Sequence, residues 1–314
     1  MSSSPDRRVI DPKQVAVVIP CHDEELTVGK VVRDFCAALP GSQVIVVDNA
    51  SRDRSAEEAA RAGARIIREV RPGKGFALIA GLREARAGSA EYFVIVDGDD
   101  TYEAGEASKL LTAAAEGASM VIGTRLAGAD AGAFRLGHSL GNRLFIGLVR
   151  LLFGIRTEDL FSGYRVISRQ FLESTPLIAQ GFEVEAELSL QAAVRRFPVA
   201  EVPVSYRARP KESPSKLNTY RDGFRILFAI LTFFRDYKPL TLFGLLALAL
   251  FVLSLGCGGV VLADYLRMGS VSNLLMAVLA AALFMLAALS LACGVLLTTI
   301  NRRAAEISAR LPLG

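Results

Sequence analysis

The sequence has no tryptophan, only two histidines and only four cysteines among its 314 residues. His22 and His138 are too few to form a histidine-ligated metal site. No two cysteines have the C-x-x-C spacing, so the usual sequence signatures of zinc-binding and thiol-redox proteins are missing. We therefore expect four unpaired thiols in a reducing compartment.

Charge is absent from two long stretches of the C-terminal third, residues 239–263 and 274–300. Each stretch is longer than the ~20 apolar residues that cross the hydrocarbon core of a bilayer. The whole chain is 52% hydrophobic and 22% charged, which is apolar for a purely soluble protein. We therefore predict two transmembrane helices that form a hairpin over residues 239–300.

The N-terminal residues 1–14 are polar and contain no apolar run of signal-peptide length. We expect them to form a flexible N-terminus on the cytosolic side. Two spans would return the tail, residues 301–314, to the same side of a cytoplasmic membrane, and the positive-inside rule favours this orientation. The basic residues that flank the spans on that side are Arg235, Lys238, Arg302, Arg303 and Arg310.

Positive charge is concentrated just before the first span. Residues 207–238 contain eight Lys or Arg and three Asp or Glu, a net charge of +5, whereas the whole chain carries +4. Residues 218–238 combine a polar stripe with a broad apolar face, which predicts an amphipathic helix at the membrane surface. Its basic residues would favour anionic lipid headgroups, and ordinary positive-inside charge is the plainer alternative. The lipid bilayer is thus an expected partner.

The first two-thirds of the chain alternates short apolar runs with helical patterns. This alternation predicts an α/β fold with a parallel sheet covered by helices on both faces. In such sheets, ligands bind beyond the carboxyl ends of the strands. Three predicted strands end in polar clusters, at residues 20–24, 48–51 and 97–100. The first of these strands is predicted to stop at Pro20.

The third cluster follows an apolar run and contains Asp97, Gly98, Asp99 and Asp100. Carboxylates one residue apart at a strand end can share a hard divalent cation whose other ligands are phosphate oxygens. A solvated acidic loop is the alternative.

The glycine-rich basic loop at residues 71–75 precedes a predicted helix, so its amides and Lys74 could cradle a phosphate. A plain surface turn is the simpler interpretation of that loop.

Taken in order, these motifs resemble the family 2 glycosyltransferases of the polyprenyl-phosphate (dolichol-phosphate mannose synthase-like) type. The resemblance extends over residues 15–217, and two spans after an amphipathic helix also match the membrane-anchored members. The matching segments are residues 17–20 with Glu24, 46–51, 73–75, 97–99, 123–125, 141–143, Asp159 with 162–165, and 215–217.

The resemblance implies a GT-A (Rossmann-like) fold for residues 15–217 and a nucleotide-diphosphate sugar as the donor. It implies that Asp97 and Asp99 hold Mg²⁺ or Mn²⁺ on the donor diphosphate. The residues implied to bind the nucleotide sugar are Pro20, Glu24, Asp48, Lys74, Asp97, Gly98 and Asp99. Those implied to bind the acceptor lipid phosphate are Arg125, Arg143, Ser215 and Lys216.

The implied catalytic set is Asp97, Asp99, Asp159, Arg125 and Arg143. Within it, Asp159 matches the acidic position of the family's D-x-x-S-G-[FY]-R loop. It would act as a modest base, or it would position Arg143 or the acceptor. A lipid phosphate is already anionic near neutral pH, so a strong general base is less necessary than for a sugar hydroxyl.

Three positions depart from the family pattern. Thr101 stands where several relatives have a glutamine, which puts a third protein ligand of the metal in doubt; Asp100 or water could take that place. Asn49 replaces the usual second aspartate of the base-binding motif. Gly163 stands where members that add glucose often carry an aspartate, which favours the mannose-synthase-like branch.

The expected reaction is metal-dependent transfer of a hexose from GDP-mannose or a UDP-hexose to undecaprenyl or dolichyl phosphate at the cytosolic membrane face. A processive polysaccharide synthase is one alternative, but it needs a Q-x-x-R-W motif, and this chain has no tryptophan. A non-catalytic membrane scaffold with a degenerate transferase domain is the other. A homo-oligomer is compatible with the sequence, and we expect no nucleic-acid partner.

Overall fold

The computed structural model describes residues 10–125, 136–155, 157–208, 219–271 and 273–308. Side chains are described for residues 10–125, 144–155, 157–208, 223–271 and 273–303. The chain divides into two compact units, Met1–Ile230 and Leu231–Gly314. The division after Ile230 falls within the predicted amphipathic helix, residues 218–238, and the predicted domain boundaries at residues 14, 217, 238 and 300 stay predictions.

The first unit is built on a seven-stranded mixed sheet with the spatial order β3-β2-β1-β4-β6-β5-β7. Its strands are β1 (Val15–Cys21), β2 (Gln43–Asp48), β3 (Arg65–Arg68), β4 (Tyr92–Ile95), β5 (Met120–Thr124), β6 (Arg165–Ser168) and β7 (Val199–Pro203). Strands β3, β2, β1 and β4 pair in parallel, as do β5 and β7.

Helices cover both faces of this sheet, as the alternating pattern predicts. They are α1 (Val28–Ala38), α2 (Ser55–Arg61), α3 (Lys74–Arg86), α4 (Ala107–Ala115), α5 (Leu136–Phe153), α6 (Arg169–Ser174) and α7 (Val184–Val194). The apolar residues of the central strands contribute to two buried cores, one on each face of the sheet. In β1, Val17 and Ile19 pack with the core that contains Phe35 of α1, whereas Ala16 and Val18 pack with the core that contains Leu78 of α3. Burial on both faces explains the continuous apolar runs.

The sequence predicts that β1 stops at Pro20, but the strand continues to Cys21. Pro20 pairs with Val47 of β2 in register. The carbonyl of Val18 accepts a hydrogen bond from Val96 N on the β4 side. Because backbone groups point alternately to the two edges of a strand, the backbone of Pro20 also points towards β4. Pro20 lies beyond the end of β4, so its missing N–H interrupts no hydrogen bond between the strands.

Strand β6 runs antiparallel to both of its neighbours, β4 and β5, so the prediction of a parallel sheet is wrong at this strand. The segment between β5 and β6 begins and ends at the same edge of the sheet, because the two strands run in opposite directions. That edge is also where the parallel strands β1, β2 and β4 end. The return of the chain therefore brings residues 125 and 157–164 to the carboxyl edge.

The C-terminal part consists of α8 (Thr219–Tyr237), α9 (Pro239–Met268) and α10 (Leu274–Ser308). Helix α8 exposes Phe224 and Phe228 and buries Ile226 and Ile230. Helices α9 and α10 each contain a stretch of mean hydropathy 2.6, and both are long and apolar enough to cross a membrane. Helix α10 continues past the predicted limit of residue 300, because the residues that follow include good helix formers such as arginine, alanine and glutamate.

Within the second unit, α9 and α10 are held together by serine hydroxyls that donate to the facing backbone. Ser254 donates to the carbonyl of Ala280 at 2.8 Å, and Ser290 donates to the carbonyl of Phe243 at 2.9 Å. Gly294 lies so close to Phe243 that an added Cβ would be 3.0 Å from the Cβ of that residue. Small residues that permit such close approach are typical of helix pairs in membranes.

One glycine determines how closely α3 packs on the sheet. A Cβ at Gly81 would lie 2.5 Å from Val18 Cγ1 and 2.7 Å from Val47 Cγ2. We predict that Gly81→Ala lowers the free energy of unfolding by about 1–3 kcal/mol, the usual cost of overpacking a core. Gly105→Ala is the control, because no atom of the described residues lies within 4 Å of its added Cβ. Thermal unfolding of the full chain in detergent tests this, and equal shifts in both variants would contradict it.

Candidate active site

The carboxyl ends of β1, β2 and β4 bring the predicted donor-binding residues to one edge of the sheet. Asp48 ends β2, and its Oδ1 accepts a hydrogen bond from Ser51 N at 3.0 Å. Thr27 donates to the carbonyl of Gly98 at 2.7 Å. A Cβ at Gly98 would lie 2.5 Å from Glu24 Oε2. Glu24 therefore lies directly against the acidic end of β4.

The three aspartates after β4 are not equivalent. Asp99 is buried, and its Oδ1 accepts hydrogen bonds from the amide of Thr101 at 3.2 Å and from its hydroxyl at 2.6 Å. Asp100 instead pairs with Lys30 of α1 at 2.7 Å. Thr101 thus fixes the orientation of the Asp99 carboxylate. The contact with Lys30 argues against the expectation that Asp100 supplies a third metal ligand.

Lys74, the first residue of α3, connects the acidic cluster to α7. Its Nζ lies 2.6 Å from Asp97 Oδ1 and 2.5 Å from Glu185 Oε1. Burial alone would lower the pKa of Lys74, but the charges of Asp97 and Glu185 outweigh this effect and raise it. Lys74 is therefore a charged group within the site, adjacent to one of the two predicted metal ligands.

The backbone amides around Lys74 are already used within the protein. The amides of Gly75 and Phe76 both donate to the carbonyl of Gln180, at 3.1 and 3.4 Å. The amide of Gly73 donates to Asn49 Oδ1 at 2.7 Å. The phosphate cradle that the sequence suggested is therefore wrong for these amides. The glycines instead permit close approach of the chain, since a Cβ at Gly75 would lie 2.7 Å from the carbonyl carbon of Ala179.

The side-chain amide of Asn49 explains why this chain has an asparagine at that position. Its Nδ2 donates to the carbonyls of Glu69 at 3.2 Å and Arg71 at 2.7 Å. Because its Oδ1 also accepts from Gly73, Asn49 holds both ends of the loop that leads to Lys74. An ionised aspartate could accept from Gly73 but could not donate to either carbonyl.

Arg125 and Asp159 form a bidentate ion pair at the same edge. Arg125 Nε lies 2.6 Å from Asp159 Oδ2, and Nη2 lies 2.7 Å from Oδ1. The guanidinium also stacks over Tyr206, 5.5 Å from the ring centroid. Burial alone would raise the pKa of Asp159, but the charge and hydrogen bonds of Arg125 outweigh it and lower the pKa. Asp159 is thus suited to position Arg125 and poorly suited to accept a proton.

Three residues predicted to bind the acceptor cannot be placed relative to Arg125 and Asp159. The side chain of Arg143 and residues Ser215 and Lys216 lie outside the described residues. Their assignment to an acceptor phosphate stays a prediction. The same holds for positioning of Arg143 by Asp159, whereas the contact of Asp159 with Arg125 is direct.

The loop between Asp159 and Gly163 was recognised as a motif, but its contacts could not be predicted. Arg165 is fully buried, and its guanidinium donates to the carbonyls of Ser162 at 2.9 Å and Leu160 at 2.8 Å. The amide of Gly163 donates to the hydroxyl of Tyr102 at 3.0 Å. This places Gly163 so close to Asp97 that an added Cβ would lie 2.7 Å from its Cγ.

Glu185 is a site residue that the sequence analysis missed. It is buried in α7, and its Oε2 is buried without a hydrogen-bond partner among the residues that the structure describes. Glu183 accepts the amides of residues 180 and 181, and Glu187 accepts those of residues 178 and 179. The available signal was the spacing of three glutamates in an otherwise apolar helix.

The donor set fits a hard divalent cation. Asp97 and Asp99 supply carboxylate oxygens at a strand end, and carboxylate oxygens are the hard ligands that Mg²⁺ and Mn²⁺ prefer. Among the described residues, no group of three or more His, Cys, Asp or Glu could hold a metal ion. Substrate and water would therefore supply most of the ligands, as is usual for Mg²⁺ on a phosphate.

Comparisons with known proteins agree with this geometry. Residues 16–175 match the model of glycosyl transferase family 2. Glycosyltransferase AglJ of Haloferax volcanii is 32% identical over 247 residues, which are 78% of this chain and 80% of the relative. Dolichyl-phosphate hexose transferase of the same organism is 31% identical over 212 residues, 68% of this chain and 90% of the relative.

Similar solved structures come from glucosyl-3-phosphoglycerate synthase of Mycobacterium tuberculosis. Its complex with Mn²⁺, UDP and phosphoglyceric acid has a TM-score of 0.57 and 25% sequence identity. The match covers 70% of this chain and 78% of that chain. A complex of the same synthase with Mg²⁺ and UDP gives the same TM-score and identity.

The buried pair of Arg125 and Asp159 gives a testable prediction. Removing one partner of such a pair costs about 3–5 kcal/mol, because the other charge stays buried without compensation. Asp159→Asn should therefore destabilise the full chain more than the double change of Asp159→Asn with Arg125→Met. Because folding lowers the pKa of Asp159, its contribution is present above the ordinary carboxyl pKa and is lost only as the pH falls below it.

Thermal unfolding of the full chain at pH 7 measures these differences. Glu158→Gln is the matched control, because Glu158 is the exposed neighbour of Asp159. If the double variant loses as much stability as the sum of both single variants, the two side chains are not energetically coupled and the prediction is wrong.

Proposed function

Since the chain belongs to glycosyl transferase family 2 and is a glycosyltransferase that uses a nucleotide sugar, we propose that it transfers a hexose to a polyprenyl phosphate. The transfer takes place at the cytosolic face of a membrane and depends on a divalent metal. The named relative that supports this acceptor is a dolichyl-phosphate hexose transferase. Support for the donor comes from the similar synthase, whose complexes contain UDP and UDP-glucose.

The donor side of the reaction is assigned to the edge that contains Asp97 and Asp99. These two carboxylates would hold Mg²⁺ or Mn²⁺. The metal, when bound, neutralises charge on the diphosphate that leaves with the nucleotide. Lys74 adds a positive charge beside Asp97. Pro20, Glu24 and Asp48 at the ends of β1 and β2 are assigned to the base and ribose.

The acceptor side is assigned to Arg125. Its guanidinium is fixed by two hydrogen bonds to Asp159, and arginine is well suited to the recognition of phosphate. A phosphate nucleophile arrives already ionised, so the site does not need Asp159 as a base. Arg143, Ser215 and Lys216 are proposed to complete the binding of the lipid phosphate.

One observation carries this proposal: a single short loop connects the two sides. At one end of the loop, Asp159 pairs with Arg125; at the other end, Gly163 lies against Asp97. The loop therefore holds a cationic group for an incoming phosphate next to the carboxylates that would bind a leaving diphosphate. In-line displacement at a sugar carbon requires these two groups to be close to each other.

The membrane location rests on two further features. Helices α9 and α10 are long and apolar enough to cross a bilayer, and α8 exposes Phe224 and Phe228. An exposed aromatic stripe suits the headgroup region of a membrane. We propose that the sheet unit and both chain ends are cytosolic, in keeping with the distribution of basic residues around the spans.

The decisive experiment is a transfer assay with membranes that contain the full chain. Labelled UDP- and GDP-sugars are each incubated with undecaprenyl or dolichyl phosphate, with and without Mn²⁺. We expect one labelled sugar in the lipid fraction, only with metal present. Phosphoglyceric acid serves as a soluble acceptor in a parallel reaction. Transfer to it alone, or to no acceptor, would overturn the proposed function, and transfer without metal would remove the role of Asp97 and Asp99.

The neighbouring aspartates provide a matched pair of variants. Asp99→Asn should lower the transfer rate by about 10²-fold or more, because it weakens the binding of the metal whose positive charge would stabilise the negative charge that develops on the leaving diphosphate. Asp100→Asn should leave the rate close to that of the unchanged protein, since Asp100 pairs with Lys30. The asparagine also suits the positive φ of 59° at this residue. Equal losses in the two variants would contradict the assignment.

A further inference from the structure

Lys74 occupies a position between two carboxylates that come from different parts of the chain. Asp97 follows β4, and Glu185 belongs to α7; the Lys74 ammonium lies 2.6 and 2.5 Å from their oxygens. The side chain of Lys74 is only 14% exposed. A buried ammonium cannot leave its partners without a large cost unless another anion replaces the one it loses.

A divalent cation on Asp97 would compete directly with Lys74. Two positive charges on the same carboxylate repel each other strongly in a site with little solvent. Lys74 must therefore give up at least part of its contact with Asp97 when the metal binds. The question is which group then compensates the ammonium.

Glu185 has the capacity to do so. Its Oε1 already contacts Lys74, and its Oε2 is buried with no hydrogen-bond partner in the described part of the chain. An ammonium has three N–H groups, and a carboxylate can accept at both oxygens. A donor released from Asp97 can thus turn to Glu185 Oε2 by a small movement of the lysine side chain.

The surroundings hold Glu185 and Lys74 together. The amide of Gly75, next to Lys74, donates to Gln180. The segment at residues 178–181 is in turn held by Glu183 and Glu187, which flank Glu185 on α7. Two of the three glutamates thus fix α7 to the loop of Lys74, and the third makes the ion pair.

We propose that Glu185 is a positioning residue that retains Lys74 when Asp97 exchanges the ammonium for the divalent cation of the donor complex. This inference rests on the proposed function, because it takes Asp97 as a metal ligand. In this arrangement Lys74 stays charged and buried beside the diphosphate, while Asp97 becomes available to the metal. Glu185 therefore makes one site able to hold both a resident ammonium and a divalent ion.

The proposal predicts opposite effects on metal affinity from the two partners of the ion pair. In Glu185→Gln, the ammonium has only Asp97 as a charged partner, so Mn²⁺ should bind about tenfold more weakly or worse. In Lys74→Met, Asp97 has no competing cation, so Mn²⁺ should bind at least as tightly as in the unchanged protein. The double variant should recover most of the affinity lost in Glu185→Gln.

The measurement is a Mn²⁺ titration of the purified full chain in detergent, in the presence of UDP or GDP, with free Mn²⁺ followed by electron paramagnetic resonance. Glu116→Gln is the control, because it removes the same charge at an exposed position after α4. Thermal unfolding establishes that each variant is folded. If Glu185→Gln does not fold, the comparison of Lys74→Met with the unchanged protein still tests the direction of the effect.

The outcomes separate this inference from the proposed function. If the unchanged protein binds Mn²⁺ and Glu185→Gln binds it equally well, the inference is overturned and the proposed function stands. The inference is also overturned if Lys74→Met weakens Mn²⁺ binding as much as Glu185→Gln does. If the unchanged protein binds no Mn²⁺ with either nucleotide, the metal site itself is wrong, and Asp97 then has no ion to exchange.

Discussion

The compensation of buried charge is the constraint on which the rest of this site depends. Asp159 is fully buried and pairs with Arg125, and Lys74 is held by Asp97 and Glu185. Arg165 is buried as well, but its guanidinium is satisfied by backbone carbonyls and by the hydroxyl of Ser189 at 2.8 Å. An uncompensated charge in any of these positions would cost several kcal/mol, of the order of the total stability of a domain. The polar residues can therefore only be arranged in a few ways.

The topology of the sheet brings these charges together. The parallel strands β1, β2 and β4 deliver the donor-side residues to the carboxyl edge, as in other α/β sheets. The antiparallel strand β6 then starts from the same edge, between β4 and β5. Without that reversal, the loop with Asp159 and Gly163 would lie at the opposite edge, away from Asp97. A single strand direction thus determines whether the two halves of the reaction can meet.

The sequence predicts much of this fold because hydrophobic periodicity and strand-end polarity are local signals. The strands before Asp48 and Asp97 and the two apolar helices were all identifiable in this way. The direction of β6 was not, because antiparallel pairing depends on contacts between residues far apart in the chain. For the same reason, the contact of Asn49 with the loop of Lys74 could not be foreseen, although a departure from the family pattern marked the position.

The same distinction between local signals and distant contacts applies to the candidate site. The types of the acidic and basic residues were visible in the motifs, but their partners were not. Asp100 and Asp99 are adjacent and chemically identical, and only the structure shows that one contacts Lys30 and the other Thr101. Likewise, the spacing of the glutamates in α7 shows a charged helix, whereas the assignment of Glu185 to Lys74 requires a contact between residues 111 positions apart in the sequence.

The close contact of Gly163 with Asp97 has a consequence for the redesign of this protein. Because a single added carbon at residue 163 would overlap the Asp97 carboxylate, the two positions cannot be varied independently. A directed-evolution library that randomises residue 163 alone would retain only the side chains that a shift of the Asp97 carboxylate accommodates. Changes in sugar preference near this loop should therefore be sought by varying residue 163 together with the residues that position the Asp97 side chain, while Asp97 itself is kept, since the effects of contacting residues are not additive.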